Sequence, residues 1–316
     1  ALLFDALKHL AQEGLSVVFV SHKLDEVQSL CDSVTVLRKG RNVGELEAPF
    51  DADGLVHLMF GQQLPAGARP VVPIDGGALE VRQLSVRDHR LSLDGVDLHV
   101  RRGEVLGLAG LEGSGQQLLM QAIAGIVRPR AGSILLGTED LAGRPYGAFR
   151  DRGVALVPAA RLEEGMIPGL SLREHFALCH HCGHGLVLDW PAADSLTREQ
   201  IAAFHIVGQP LTAVDKLSGG NQQRALLALL PAELTVLLLE HPTRGLDVSS
   251  AQWIWSNLLA RRERGTALIF TSTDLDELLQ YSDRIMVFSG GRVSAPVDAP
   301  TVTVQELGYL IGGRGL

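Results

Sequence analysis

A glycine-rich segment at residues 110–119, reading GLEGSGQQLL, has residue types that could bind a nucleotide. Backbone N–H groups of such a loop, and the start of the helix after it, attract phosphate oxygens. A phosphate loop also needs a Lys for the outer phosphates and a Ser or Thr hydroxyl for Mg²⁺. Here Gln116 and Gln117 occupy those positions. The loop residues that remain are Gly110, Gly113, Ser114 and Gly115.

Two further motifs lie after the glycine loop along the chain. PTRGLD, residues 242–247, comes after an apolar run and ends at Asp247. KLSGGNQQR, residues 216–224, opens a helix-prone run, where a hydroxyl and free N–H groups could meet an anion. Its candidate binding residues are Leu217, Ser218, Gly219, Gly220, Asn221 and Gln222.

A β-sheet is needed to position these motifs, and the apolar runs of the sequence predict its strands. A helix is predicted at residues 116–126, directly after the glycine loop. Strands are predicted at residues 79–86, 96–100, 105–109, 133–136, 154–157 and 235–239. Buried apolar strands that alternate with helices predict a largely parallel sheet in an α/β fold. The glycine loop by itself is equally compatible with a tight turn in another α/β protein.

An internal repeat indicates how the chain is organised. Residues 14–43 align without gaps on residues 265–294, with many identical positions. Such self-similarity indicates two copies of one unit. Each copy predicts a buried strand, at residues 17–21 and 267–272, then a short helix and a second strand that ends at a glycine turn.

The repeat predicts two tandem domains. We expect residues 1–64 to be the C-terminal part of the first, because the chain begins within an amphipathic helical pattern. Residues 65–77 are rich in Pro and Gly and predict a linker. Residues 78–316 then form a second, complete domain.

Composition disfavours several classes of protein. A net charge of −8 is unsuited to nucleic acid, which needs a basic surface. No signal segment is apparent, and the most apolar stretch, residues 225–239, is too short to span a bilayer and contains Pro231 and Glu233. Cys31, Cys179 and Cys182 make no disulfide framework, as in proteins of reducing compartments.

Taken in order, the motifs resemble those of the ATP-binding subunit of ABC transporters. LSGGNQQR resembles the signature motif, LLLEHPTRGLD the Walker B strand with its D-loop, and VSHKLDE the switch-histidine region. The tandem layout and these spellings resemble the subfamily that imports simple sugars and nucleosides. The resemblance implies an α/β, P-loop NTPase-like ABC ATPase fold, whose mixed sheet carries an antiparallel β-subdomain and a helical subdomain at about residues 163–230.

In this family each ATP lies between the phosphate loop of one domain and the signature helix of the other. The resemblance implies ATP and Mg²⁺ as cofactors, with no normal Mg²⁺ ligation expected in the second domain's site. That site would lack a charge, a metal ligand and a base. The altered positions are Gln116 for the Lys, Gln117 for the hydroxyl, Glu240 for the Walker B Asp, His241 for the catalytic Glu and Thr273 for the switch His.

Residues that would serve the first domain's site are intact. The signature residues 217–222 and Asp247 would face that site across the domain interface, and His22 would be the first domain's own switch residue. We therefore expect one hydrolytic site, completed by the second domain's signature helix, and one degenerate site. We expect this chain alone to be nearly inactive as an ATPase.

The resemblance also implies partners. These are integral-membrane permease subunits and, through them, a substrate-binding protein, with the chain on the cytoplasmic face of the membrane. Two alternatives stay open: a non-catalytic nucleotide-binding scaffold or regulatory domain, and a soluble ABC ATPase of translation or repair, which the acidic charge disfavours. The stretch CHHCGH, residues 179–184, has metal-ligand types but no second ligand pair, so we assign no metal.

Overall fold

The structure, a computed structural model, describes residues 2–21, 24–38, 40–51, 54–55, 58, 76–180, 182–184 and 187–313. The chain divides into two compact units: residues 1–68 with 247–249, and residues 69–246 with 250–316. The predicted linker at residues 65–77 lies outside the described residues apart from Gly76 and Gly77. The domain limits drawn from the sequence repeat stay a prediction.

The described part of the first unit contains two helices and a hairpin. Its elements are α1 (Leu2–Gln12), α2 (Leu24–Leu30), β1 (Ser33–Arg38) and β2 (Arg41–Glu47). β1 and β2 pair antiparallel, with an irregularity after Val36.

The strands predicted from the sequence form in the second unit, within a few residues at each end. The strands of this unit are β3 (Gly77–Arg87), β4 (Ser92–Arg101), β5 (Val105–Gly110), β6 (Ala131–Leu136), β7 (Glu139–Asp140), β8 (Val154–Val157), β9 (Gly183–His184), β10 (Val187–Leu188), β11 (Val236–Glu240), β12 (Ala267–Thr271), β13 (Arg284–Ser289), β14 (Arg292–Val293) and β15 (Val297–Asp298). The short strands β7, β9, β10, β14 and β15 were not predicted.

The larger sheet of the second unit is mixed. Its order is β14-β13-β5-β12-β11-β8, and β15 also pairs with β13. Neighbours from β13 to β8 are parallel, whereas β14 and β15 run antiparallel to β13. All residues of β11 and β12 are buried, as expected where both faces of a parallel sheet are covered. A second sheet, β4-β3-β6-β7, is antiparallel. The predicted α/β fold with a mixed sheet and an antiparallel part is confirmed.

Helices cover the sheet. They also form much of the chain around the KLSGGNQQR motif. They are α3 (Gln116–Ile123), α4 (Tyr146–Arg150), α5 (Leu172–Cys179), α6 (Trp190–Ala203), α7 (Gly219–Leu229), α8 (Val248–Glu263), α9 (Leu275–Tyr281) and α10 (Val304–Ile311). α3 ends earlier than predicted, because Gly125 follows it with φ 73°, a left-handed conformation that ends helices. Within the described chain no helix is both long and apolar enough to cross a bilayer.

Alternate residues of the parallel strands face two different hydrophobic cores. In β12, Ile269 belongs to the core that also includes the antiparallel sheet and α3, and Phe270 belongs to the core beneath α7 and α8. Trp255 of α8 is 2% exposed, and its ring stacks on Tyr281 at a centroid distance of 4.0 Å. This tryptophan therefore packs in the core beneath α7 and α8.

The sequence repeat recurs in the structure. α2 and α9 have the same length, as do β1 and β13, and each pair occupies matching positions in the alignment. A side-chain hydrogen bond recurs too: Ser21 Oγ donates to Glu26 Oε2 at 2.7 Å, and Ser272 Oγ donates to Glu277 Oε2. The two copies therefore share local structure as well as sequence.

The predicted strand at residues 17–21 does not form, so this prediction is wrong. Val18 and Val20 are each 92% exposed, and no described strand pairs with them. A strand needs neighbours to satisfy its backbone N–H and C=O groups. Its counterpart β12 lies between β5 and β11 and has those neighbours.

A buried ion pair joins α8 to the sheet. Arg262, whose side chain is 3% exposed, donates through Nε to the Gly103 carbonyl oxygen at 2.8 Å and through Nη2 to Asp283 Oδ1 at 3.0 Å. Asp283 Oδ2 accepts the Val105 N–H at 2.8 Å, at the start of β5. The pair therefore fixes where β5 and β13 begin.

Replacement of Arg262 should destabilise the second unit strongly. Arg262→Met leaves the Asp283 carboxylate without its cation, and breaking a buried pair in this way costs about 3–5 kcal/mol. The matched control is Arg198→Met, which removes an arginine with a 70% exposed side chain from its pair with Asp194 and should cost less than about 1 kcal/mol. Urea unfolding measures the free energy of unfolding of both variants. Equal losses would show that the Arg262–Asp283 pair stabilises the unit no more than an exposed pair does.

Candidate functional site

The glycine loop lies between β5 and α3 and requires glycine at two positions. Gly110 has φ 150°, and a Cβ there would lie 2.4 Å from Gln116 Nε2 and 2.5 Å from the Phe288 carbonyl oxygen. Gly115 has φ 126°, and a Cβ there would lie 2.6 Å from a methyl carbon of Leu93. The loop thus passes too close to its neighbours to accept a side chain at either position.

A pocket forms beside this loop, where the carboxyl ends of the parallel strands β5, β11 and β12 meet. Its lining contains several of the predicted site residues but no Lys or Arg. The lining residues are Gly110, Glu112, Gly113, Gln116, Gln117, Ala159, Glu240, His241, Thr271 and Ser272. The structure therefore brings together the loop and the Walker B positions named from the sequence.

The two glutamines at the end of the loop bond to the protein itself. Gln116 is 6% exposed, and its Nε2 donates to the Leu111 carbonyl oxygen at 3.3 Å. Gln117 Nε2 donates to Glu240 Oε2 at 3.2 Å. The place of the lysine cation and the metal-binding hydroxyl is thus taken by neutral amides that already have partners.

Glu240 ends β11 and is 4% exposed. Its Oε2 accepts the Ala159 N–H at 3.3 Å as well as the Gln117 amide, and its Oε1 is buried with no hydrogen-bond partner among the described residues. Burial raises the pKa of Glu240, and the charge of Glu164 raises it further, against the opposing effect of the two hydrogen bonds. The pocket therefore favours the protonated carboxyl.

His241 follows Glu240 in a strained conformation. Its φ is 46°, which is uncommon for a residue other than glycine, and its N–H donates to the Thr271 carbonyl oxygen at 3.1 Å. Burial lowers the pKa of His241, the charge of Arg244 lowers it further, and that of Glu112 opposes them. The position that the resemblance assigns to a catalytic carboxylate thus holds a side chain that favours the neutral imidazole.

The residues of this pocket do not fit a normal Mg²⁺–nucleotide site. Mg²⁺ prefers charged or hydroxyl oxygen ligands, but Gln117 offers an amide that is bonded to Glu240, and Glu240 Oε1 is buried. Glu112 and Glu240 are the lining residues that can carry negative charge, and the lining contains no lysine or arginine. Arg244, which lies outside the lining, pairs with Glu112 at 3.8 Å. Phosphate groups would find the backbone N–H groups of the loop and little else.

The signature motif lies apart from this pocket. Ser218 is the exposed N-cap of α7, and Asn221 Nδ2 donates to its Oγ at 2.8 Å. Asn221 Oδ1 accepts the Val207 N–H at 2.8 Å, and Gln222 Nε2 donates to the Leu217 carbonyl oxygen at 3.1 Å. These side chains thus bond within the motif and to the backbone at Val207, and none of the motif's residues lines the pocket.

Two other predicted site residues, Thr273 and Asp247, do not line the pocket. Thr273 is exposed, whereas Ser272 before it lines the pocket. Asp247 is exposed and accepts the Ser249 hydroxyl at 2.6 Å. His22 lies outside the described residues.

The CHHCGH stretch shows no metal site in the described chain. Cys179 and Cys182 are free thiols, and His181 lies outside the described residues. Among the residues that the structure places, no group of three or more His, Cys, Asp or Glu side chains could hold a metal ion.

Sequence reasoning missed Arg161. No motif identified in the sequence includes this residue. In the structure its Nε donates to Gln223 Oε1 at 2.8 Å and its Nη2 donates to the Arg244 carbonyl oxygen. The sequence signal was a cation in an otherwise apolar stretch, and its partners lie too far along the chain to be inferred.

The family profile and the related proteins indicate the same kind of protein. The ABC transporter family profile matches residues 93–244. The nucleoside import ATP-binding protein NupA of Lactococcus lactis subsp. cremoris is 33% identical, over 99% of this chain and 64% of that protein. The ribose import ATP-binding protein RbsA 1 of Mesorhizobium japonicum is 35% identical, over 96% of this chain and 61% of that protein. The chain thus spans less than two thirds of the length of these relatives.

Solved structures agree with the fold. An ATP-binding subunit of an ABC transporter has a TM-score of 0.58 at 23% identity, covering 76% of this chain and 95% of that one. The cbiO1 protein of Clostridium perfringens, part of an ABC transporter complex, has a TM-score of 0.60 at 22% identity, covering 76% and 96%. The fold is that of ABC ATPases.

Replacement of Glu240 should change how stability depends on pH. Because the folded protein binds the Glu240 proton more tightly than the unfolded chain, this carboxyl contributes stability below its unfolded pKa and loses it as the pH rises through the folded pKa. Glu240→Gln should therefore gain stability relative to the wild type as the pH rises above about 4.3, the ordinary pKa of a glutamic acid. Urea unfolding between pH 4 and pH 8 measures this.

The control is Glu112→Gln, which removes a carboxylate with a 74% exposed side chain from the rim of the same pocket. If the two variants showed the same dependence on pH, burial of Glu240 would not be the cause.

Proposed function

We propose that the chain contains the ATP-binding domain of an ABC transporter and is the energy-coupling subunit of an importer for simple sugars or nucleosides. The relatives support this class, since they are named as import proteins for nucleosides, ribose and xylose. On this proposal ATP drives a membrane permease, which works with a substrate-binding protein. The chain then acts at the cytoplasmic face of the membrane.

We propose that the permease is contacted by the segment at residues 163–189. Large apolar side chains are exposed there, and exposed apolar surface is common at interaction sites. Ile167 is 53% exposed, Leu178 55% and Val187 74%. None of these side chains has a role in the pocket beside the glycine loop.

The second domain's own nucleotide site is degenerate on this proposal. The observation that carries this is the pocket lining, which holds Glu112 and Glu240 and no Lys or Arg. A nucleoside triphosphate brings several negative charges, and phosphoryl transfer depends on cations that neutralise them. Any nucleotide held by the backbone of the glycine loop would therefore stay bound without turnover.

Hydrolysis, on the same proposal, takes place at the first domain's site with the help of α7. Ser218 supports this role, because it is exposed at the N-terminus of an 11-residue helix, where a hydroxyl and N–H groups can meet a phosphate. The curated relatives are longer than this chain, with 61–64% of their length matched. Their length leaves room for the parts of a first domain that this sequence does not contain.

The ATPase activity of the full-length protein with its permease tests this asymmetry. Ser218→Arg should lower the rate about 100-fold or more, the usual effect of losing a group that stabilises transition-state charge. Gln116→Ala should leave the rate nearly unchanged, because its amide bonds only to the loop. Ser256→Arg, at an exposed position on α8, controls for the introduction of an arginine.

Equal losses from Ser218→Arg and Gln116→Ala would contradict the division between the two sites. Nucleotide binding with no hydrolysis in the wild-type complex would instead favour the non-catalytic scaffold.

A further inference from the structure

Arg161 joins three segments that are distant in the sequence. It begins a π-helical turn at Arg161–Gly165, after β8. Its Nε donates to Gln223 Oε1 at 2.8 Å, and its Nη2 donates to the Arg244 carbonyl oxygen. Its Nη1 lies beside the start of α7, since a Cβ built on Gly219 would be 3.3 Å from it. One guanidinium thus contacts both α7 and the loop that follows β11.

The chemistry of Arg161 suits it to hold these segments in place. Among the described residues no carboxylate lies within ion-pair distance of it, and burial lowers its pKa. Its two acceptors are neutral oxygens, which offer direction and little charge compensation. A guanidinium is planar and donates in fixed directions, so two bonds to different segments fix their relative position.

Gln223 depends on this contact. It is 2% exposed on α7, its Oε1 accepts from Arg161, and its Nε2 is buried with no partner among the described residues. A buried polar group that loses its hydrogen bond is costly, so the helix would shift to find another partner. The N-terminal end of α7, which carries Ser218, would shift with it.

The same short segment also contacts the pocket beside the glycine loop. Ala159, two residues before Arg161, donates its N–H to Glu240 Oε2 at 3.3 Å. Residues 159–161 therefore contact the end of β11 on one side and α7 on the other.

We propose that Arg161 is a positioning residue that sets the N-terminal end of α7 relative to the loop at Arg244. It acts through Gln223 and does not contact the nucleotide itself. This inference rests on the proposed function, in which that end of α7 completes the hydrolytic site.

The test is a double-variant comparison of ATPase activity in the full-length protein with its permease. Arg161→Met should lower kcat roughly 10- to 100-fold, the effect of misplacing a group by about an ångström, with little change in KM for ATP. Gln223→Leu should lower kcat as well, because it removes the same link. The double variant should be no slower than Arg161→Met, because both changes remove one interaction.

Arg261→Met is the matched control. Arg261 is 6% exposed, and its Nη1 donates to the Pro231 carbonyl oxygen at 2.6 Å, just beyond the other end of α7. Burial lowers its pKa too. This variant should lose stability in urea unfolding while keeping the kcat of the folded protein.

The proposal would be overturned if Arg161→Met lowered activity only in proportion to the loss of folded protein, as Arg261→Met should. It would also be overturned if the effects of Arg161→Met and Gln223→Leu multiplied in the double variant. If Arg161→Met folds poorly, Gln223→Leu is used instead. A normal kcat for Gln223→Leu would also overturn the proposal. Ser218→Arg is measured beside them: if it keeps full activity, the proposed function fails and not only the role of Arg161.

Discussion

The parallel pairing of β13, β5, β12, β11 and β8 is the constraint on which the second unit depends. Parallel strands end at one edge of a sheet, so the residues that follow β5, β11 and β12 meet although β5 lies more than a hundred positions before the other two strands. Both faces of these strands are buried, which requires cover on both sides. The antiparallel sheet with α3 covers one face, and α7 and α8 cover the other.

On the proposed function, charge and not shape separates this pocket from a nucleotide site that turns over its ligand. The loop keeps the glycines that let its backbone pass close to Gln116 and Phe288. Its side chains provide no cation, and Glu240 is buried where a carboxylate is disfavoured without one. A fold can therefore keep the backbone shape of a phosphate loop because that shape is needed for packing, even where the charged side chains that bind phosphate are absent.

The start of α7 is ordered by contacts that do not involve that pocket. Asn221 binds Ser218 and the Val207 backbone, and Gln223 binds Arg161. Since residues 159–161 also contact Glu240, they provide a direct physical connection between the pocket and the signature helix. A displacement of Glu240 would therefore move residues 159–161, and through their hydrogen bonds it would also move α7.

The sequence by itself determined the strands of the sheet, the glycine loop and the repeat, because apolar periodicity and the conformational needs of glycine are local properties. Only the tertiary structure decided which of those patterns became structure. Residues 17–21 carry the same pattern as β12 and form no strand, since pairing requires neighbours that the pattern cannot specify. It also decided that Ser272, and not Thr273, lines the pocket, and that Arg161 bonds to Gln223. Both depend on how distant segments pack, which no local pattern contains.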